Sequence, residues 1–127
     1  LWYSLVEIVT KGEEEICALA TTDASSPWFS GHFPGDPILP GVAQLKMVAD
    51  IIATQRKERL RMTGLSRIKF RKIVRPGELL TLHVTTGTLP DQYAFRITSG
   101  DADVCSGVML MGWPGNERDQ AALSKRA

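Results

Sequence analysis

The chain has 127 residues, 43% apolar and 23% charged, with a formal net charge of +1. That supports one domain over residues 1–127 with a genuine core, and excludes disordered and fibrous classes. No uncharged apolar run approaches the roughly 18 residues a membrane-spanning helix needs. The first ten residues show no basic leader or small-residue cleavage site. The two cysteines, Cys17 and Cys105, are too few for a disulfide framework and too isolated for a metal site. A reduced, cytoplasmic protein is expected.

In chain order, residues 4–9 and 15–21 read as strands around a Lys11-Gly12 turn, with β-branched residues on both sides. Residues 23–41 are rich in Ser, Pro and Gly, and regular structure is not expected there. Pro34, Pro37 and Pro40 fall at steps of three and keep this stretch extended, since each fixes its own φ and restricts its predecessor. Pro40-Gly41 then opens an apolar run to Ala53, with Pro well suited to a helix start. Val42, Leu45, Ala49 and Ile52 make one stripe, and Ala43, Met47 and Ile51 another, so the helix is apolar nearly all round. Such a helix is buried on most sides, typically by a sheet wrapped around it. Its polar exceptions are Gln44, Lys46, Asp50 and Thr54, the last three at four-residue steps.

A basic stretch follows. Residues 56–75 hold nine of the fifteen basic residues against one acid, Glu58, a local charge of +8; six basic and thirteen acidic residues elsewhere leave −7. It is either a solvated face or a landing surface for an anionic partner. Residues 65–70, 79–87, 92–98 and 104–113 read as four further strands, with Pro76-Gly77, Pro90-Asp91 and Gly100-Asp101 at the turns between the last ones. Residues 114–127 form a polar tail. Two strands, one long helix and four strands make an α+β fold with one antiparallel sheet holding the helix.

The segment Gly31-His32-Phe33-Pro34-Gly35-Asp36-Pro37-Ile38-Leu39-Pro40-Gly41-Val42 strongly resembles the active-site motif of the hotdog-fold 3-hydroxyacyl-(acyl-carrier-protein) dehydratases. Residues 69–80, KFRKIVRPGELL, resemble the third strand and following turn of that family, and residues 93–111 its closing hairpin, including Gly107. The likeness spans roughly residues 5–112. It implies a hotdog fold, a lyase that uses no metal or redox cofactor, and a substrate held as an acyl thioester on acyl carrier protein.

Dehydration needs a base for the α-proton, an acid for the leaving hydroxyl, and donors for the enolate-like oxygen. His32 is the natural base, since imidazole titrates near neutrality. Outside such a frame, a His before Phe-Pro is more often a packing residue; the prolines and glycines around His32 select the catalytic role. His83, between Leu82 and Val84, lacks any such frame and is read as structural. Gly41 at the helix start presents a backbone N–H with the positive end of the helix dipole behind it. The resemblance places acyl-chain contacts on Phe33, Pro40, Val42, Gln44, Met47 and Ile51, lining a narrow tunnel. Gln44 reads equally as a polar group at a helix edge, and Asp36 as an Asx residue shaping its turn. Trp28 and Phe29 are expected to pack near the tunnel mouth or sheet edge, and both cysteines to be small buried residues.

One position departs from the family. Fourteen residues after the histidine, where relatives carry Glu or Asp, stands Lys46, which has no acceptor. Three alternatives follow. Asp50, one turn and about 6 Å further along the axis, takes over as acid. Lys46 and Asp50 form an intrahelical pair. Or the chain has lost the reaction and keeps an acyl-binding fold, perhaps beside an active paralogue. A hotdog thioesterase is a third function class, disfavoured by the His-Phe-Pro motif.

The resemblance also gives the basic stretch a partner. Arg67, Lys69, Arg71, Lys72 and Arg75 would steer an acidic carrier protein and hold its phosphopantetheine phosphate. Aromatic residues are not interleaved with these charges as nucleic-acid stacking needs, so no nucleic acid is expected. Family members are homodimers or assemblies of dimers, and the same is expected here.

Overall fold

The computed structural model describes residues 2–29 and 35–113. Two strands, β1 (Ser4–Lys11) and β2 (Glu15–Thr21), precede a 3-10 turn at Pro27–Phe29. The long helix α1 (Gly41–Arg56) follows, then β3 (Arg61–Phe70), β4 (Leu80–Thr86), β5 (Gln92–Ser99) and β6 (Ala102–Gly112). All six strands join one antiparallel sheet in the order β1-β2-β4-β5-β6-β3. This is the α+β arrangement expected, a helix held by one sheet. No helix among the described residues is long and apolar enough to cross a membrane.

Register sorts the residues between the two faces of the sheet. Ile16, Val84, Phe95 and Gly107 lie opposite one another across four strands, as do Ala18, Leu82, Ile97 and Cys105. Adjacent partners in an antiparallel pair share a face, so these rows form the floor on which α1 rests. Ala18, Leu82, Ile97 and Cys105 are all 0% exposed. From the helix, Ala43, Leu45, Met47, Val48, Ala49, Ile51 and Ile52 enter the same cluster. Each large side chain so buried contributes roughly 1.5–3 kcal/mol over leaving it in water.

Gly107 is needed where the floor is crowded. A Cβ there would press on Ile68 Cδ1 and lie 3.3 Å from both the Ile68 Cα and the Phe95 ring. The opposite face carries the row Val9, Cys17, His83, Arg96 and Ser106. His83 is half-buried within it.

Several expectations are corrected. Cys17 lies on the outer face and is exposed, whereas Cys105 is buried as expected; alternation along β2 turns position 17 away from the helix. Burial pushes the Cys105 thiol up to about 11. β3 begins at Arg61, four residues before the sequence pattern suggests, because an edge strand tolerates charges that face water. Two irregularities break its pairing with β6, at Met62/Gly64 and Ser66/Lys69, and Arg67 takes φ 56° inside the second. β1 runs on to Lys11, so the turn falls at Gly12, with φ 61°. The helix is less uniformly buried than its composition suggests, since Val42 is 62% exposed. The tail at 114–127 lies outside the described residues.

Ile52 is 0% exposed at the helix–sheet contact. Ile52→Ala is expected to cost about 2–5 kcal/mol, and Val42→Ala on the open side of the same helix no more than about 0.5 kcal/mol. Urea unfolding of the two variants checks the difference.

Candidate functional site

The start of α1 has no side-chain cap. Pro40 is the N-cap, with φ −60° and ψ 151°, and its carbonyl accepts from the Ala43 and Gln44 N–H groups at 3.0 and 3.2 Å. The N–H groups of Gly41 and Val42 have no acceptor among the described residues. An uncapped first turn leaves donors at the positive end of the helix, where developing negative charge is stabilised. Gly41 is required there for space. A Cβ would lie 2.6 and 2.7 Å from Cζ and Cε1 of Phe70, whose ring covers the glycine from the end of β3.

The segment before the helix is held from two sides. The buried Leu39 donates its N–H to the Val74 carbonyl at 2.8 Å, and Asp36 accepts from Arg75 Nη1 in an ion pair. Both partners belong to the β3–β4 connection, and Glu78 organises that connection. Its carboxylate accepts from Lys72 Nζ at 2.5 Å, the Arg75 N–H at 2.5 Å and Ser99 Oγ at 3.0 Å. Burial pushes the Glu78 carboxyl upward, but the donors from Lys72, Arg75 and Ser99, with the Lys72 charge, outweigh it and hold it below the usual carboxylate range.

The structure separates the candidate residues into distinct environments. Gln44 is not at a helix edge: it is 3% exposed, its Nε2 donates to the Leu39 carbonyl at 3.3 Å, and its Oε1 is buried without a partner among the described residues. Such an orphaned acceptor is uncommon in native interiors. Val42, Lys46 and Thr54 are exposed and Asp50 is half-buried, so this four-residue stripe is the side of α1 that the sheet leaves uncovered. No hydrogen bond or ion pair joins Lys46 to Asp50. Asp50 acts instead on Tyr3, whose hydroxyl is pushed up to about 12 by burial and then by the Asp50 charge. Trp2 packs edge-on against Tyr3 and Trp28, at centroid distances of 4.9 and 5.8 Å.

Met47 and Ile51 are sealed in the core, at 0% and 2% exposure. Two cavities, of about 270 and 430 Å³, open elsewhere. One lies between the β1–β2 turn and the end of α1 beside Gln55 and Arg56, the other over Val9, Cys17 and His83. Neither is lined by Gly41, Gln44, Lys46 or Asp50. Of the basic residues, Lys72 and Arg75 are engaged with Glu78 and Asp36, while Arg67, Lys69 and Arg71 are exposed on and just after β3. His32 and Phe33 lie outside the described residues.

Sequence reasoning missed Phe70, Val74 and Glu78, and treated Asp36 as a local turn residue. A Gly-Glu pair after a proline hints at the turn around Glu78. No spacing rule connects residue 36 to residue 75.

A long helix on one antiparallel six-stranded sheet of this strand order is the hotdog fold. The model of the ApeI-like family, described as ApeI dehydratase, matches residues 9–108, and the chain belongs to that family. It is 38% identical over 108 residues to the 3-hydroxyacyl-(acyl-carrier-protein) dehydratase FabZ of Oenococcus oeni, covering 76% of this chain and 77% of that one. It is 35% identical over 92 residues to the FabZ of Lactobacillus helveticus, covering 67% of this chain and 62% of the relative. Among solved structures, the dehydratase heterocomplex ApeI:P from Xenorhabdus doucetiae superposes with a TM-score of 0.79 at 23% identity, covering 87% of this chain and 98% of that one.

Gly41→Ala is expected to cost about 1–3 kcal/mol by crowding Phe70. Gly41→Ala combined with Phe70→Ala should recover most of that loss, measured by chemical denaturation. Glu78 gives an acid signature. Its carboxyl is depressed below the ordinary 4.5, so its contribution is present above that value and lost as pH falls through the folded-state value. Thermal melts taken downward from neutral pH should fall more steeply below about pH 4.5 for the wild type than for Glu78→Gln.

Proposed function

We propose that this protein dehydrates 3-hydroxyacyl chains carried on acyl carrier protein to trans-2-enoyl thioesters, as a step in fatty-acid or related acyl-chain synthesis. The observation that carries the proposal is the Gly41 N–H at the positive end of α1, which has no acceptor among the described residues and stands seven positions after the His-Phe-Pro motif, within the residues 9–108 that the ApeI-like family model matches. His32 takes the α-proton. The Gly41 N–H donates to the thioester oxygen as it gains negative charge. Asp50 gives its proton to the departing β-hydroxyl, which leaves as water, and the proton held by His32 is returned to solvent or to Asp50 to reset the pair.

Asp50 suits the acid's role better than Lys46 does. It is half-buried beside Tyr3, whereas Lys46 is exposed. Phe33, Pro40, Val42 and Gln44 contact the acyl thioester, with the buried Gln44 Oε1 available to a substrate donor or a water. Met47 and Ile51 line the chain's far end when the core parts around it. Arg67, Lys69 and Arg71 face the acidic carrier.

A second hotdog chain covers the open stripe of α1, joining through the free edge of β3, where Leu65 and Phe70 are 41% and 51% exposed. With an identical partner this is a homodimer. The exposure of Lys46 on that stripe favours one alternative: a chain that binds acyl groups and leaves the acid to a paired paralogue.

Hydration of enoyl-carrier substrates, or the forward dehydration, separates these at several chain lengths. Turnover by the wild type, lost at least about 100-fold in His32→Ala and in Asp50→Asn with folding intact, supports the enzyme with a relocated acid. A wild type that is inert alone but gains activity as Lys46→Glu supports the binding chain. Activity that survives His32→Ala removes His32 from its role.

A further inference from the structure

We infer that Arg75 is a positioning residue for the dehydration, acting through Asp36 on the segment that presents the Gly41 N–H. This rests on the proposed function for its catalytic consequence, though not for the linkage itself.

The residues form a continuous path. Glu78 holds the Arg75 backbone N–H at 2.5 Å while also accepting from Lys72 and Ser99, so the backbone from which the Arg75 side chain springs is fixed. The Gly77 N–H donates to the Thr22 carbonyl at 2.8 Å and Thr21 Oγ1 to the Glu78 carbonyl at 3.0 Å, tying the same turn to β2. Arg75 then reaches across to Asp36, which follows Gly35 at φ 83°. Three residues beyond Asp36, the Leu39 N–H meets Val74, the neighbour of Arg75, at 2.8 Å. Two adjacent residues of one turn therefore grip residues 36 and 39, and the next donor along the chain after Pro40 is Gly41.

The grip at 39 is buried and the grip at 36 is not. Leu39 and Val74 are 1% and 0% exposed, whereas the Arg75 and Asp36 side chains are 51% and 57% exposed. The buried contact sets where the segment lies. The ion pair, closed across a short extended stretch containing Pro37, limits how the segment rotates about that contact, which sets the direction of the Gly41 donor. An oxyanion donor loses most of its effect when misaligned by a fraction of an ångström.

Arg75 also belongs to the basic stretch, so the test uses a substrate that cannot touch a carrier-binding face: a 3-hydroxyacyl N-acetylcysteamine thioester. Arg75→Ala and Asp36→Asn should each lower kcat about three- to ten-fold with KM within about two-fold, as expected for lost orientation. The double variant should be no worse than either single one, because both break the same link. Arg75→Lys should restore part of the rate, and the reversed pair Asp36→Arg with Arg75→Asp more of it. Amide hydrogen exchange over residues 35–42 should quicken in Arg75→Ala. Unchanged exchange there overturns the linkage, and quickened exchange with unchanged kcat overturns the positioning role. Additive losses in the double variant also overturn it. If the wild type turns over neither this thioester nor the carrier-bound substrate, the dehydratase proposal fails, and the exchange measurement still decides whether Arg75 holds the segment.

Discussion

Burying α1 is the constraint from which the rest of the molecule follows. Seven apolar side chains of this helix, from Ala43 to Ile52, sit against the inner rows of β2, β4, β5 and β6. A flat sheet cannot cover a helix on all sides, and one stripe, Val42, Lys46, Asp50 and Thr54, stays in contact with water. That stripe begins one residue after Gly41, whose N–H has no acceptor among the described residues. The same packing that stabilises the fold therefore determines which helix face can meet a substrate or a second chain.

The start of the helix is where stability and chemistry compete. A Ser, Thr or Asp cap would stabilise the first turn by about 0.5–2 kcal/mol by accepting from the Val42 or Ala43 N–H. Here Pro40 supplies a fixed φ without any capping group, and the segment is held from outside by Val74 and by the Arg75–Asp36 pair. Gln44 braces the same place from below through the Leu39 carbonyl, while its own oxygen is buried and has no partner among the described residues. Among the described residues, neither the Gly41 N–H nor the Gln44 Oε1 has a partner, and both lie at this one short segment.

Lys46 takes its meaning from its surroundings. Had it been buried, an ammonium without an acceptor would have cost several kcal/mol and demanded a partner. On the open stripe it costs little, and the Asp50 charge acts instead on the Tyr3 hydroxyl, raising its pKa after burial. A lysine at residue 46 is therefore compatible with an intact fold.

Much of this was legible in residue order. The helix from Gly41 follows from a proline start and a mostly apolar run to Ala53; β2 follows from β-branched and apolar residues beside a glycine turn; the dehydratase likeness follows from the spacing of His32, the three prolines and Gly41. These depend on contacts a few residues apart, which local pattern encodes. Residue order did not show that Cys17 faces outward, that β3 starts at Arg61 as an edge, or that Gln44 is buried and Val42 is not. Each depends on which side of an element meets the core, and for a helix apolar nearly all round periodicity has no preferred side. The Asp36–Arg75 pair and the hub at Glu78 were further still from reach. The pair joins residues 39 positions apart and the hub reaches Ser99, 21 positions away, so tertiary folding has to bring those groups within hydrogen-bond distance.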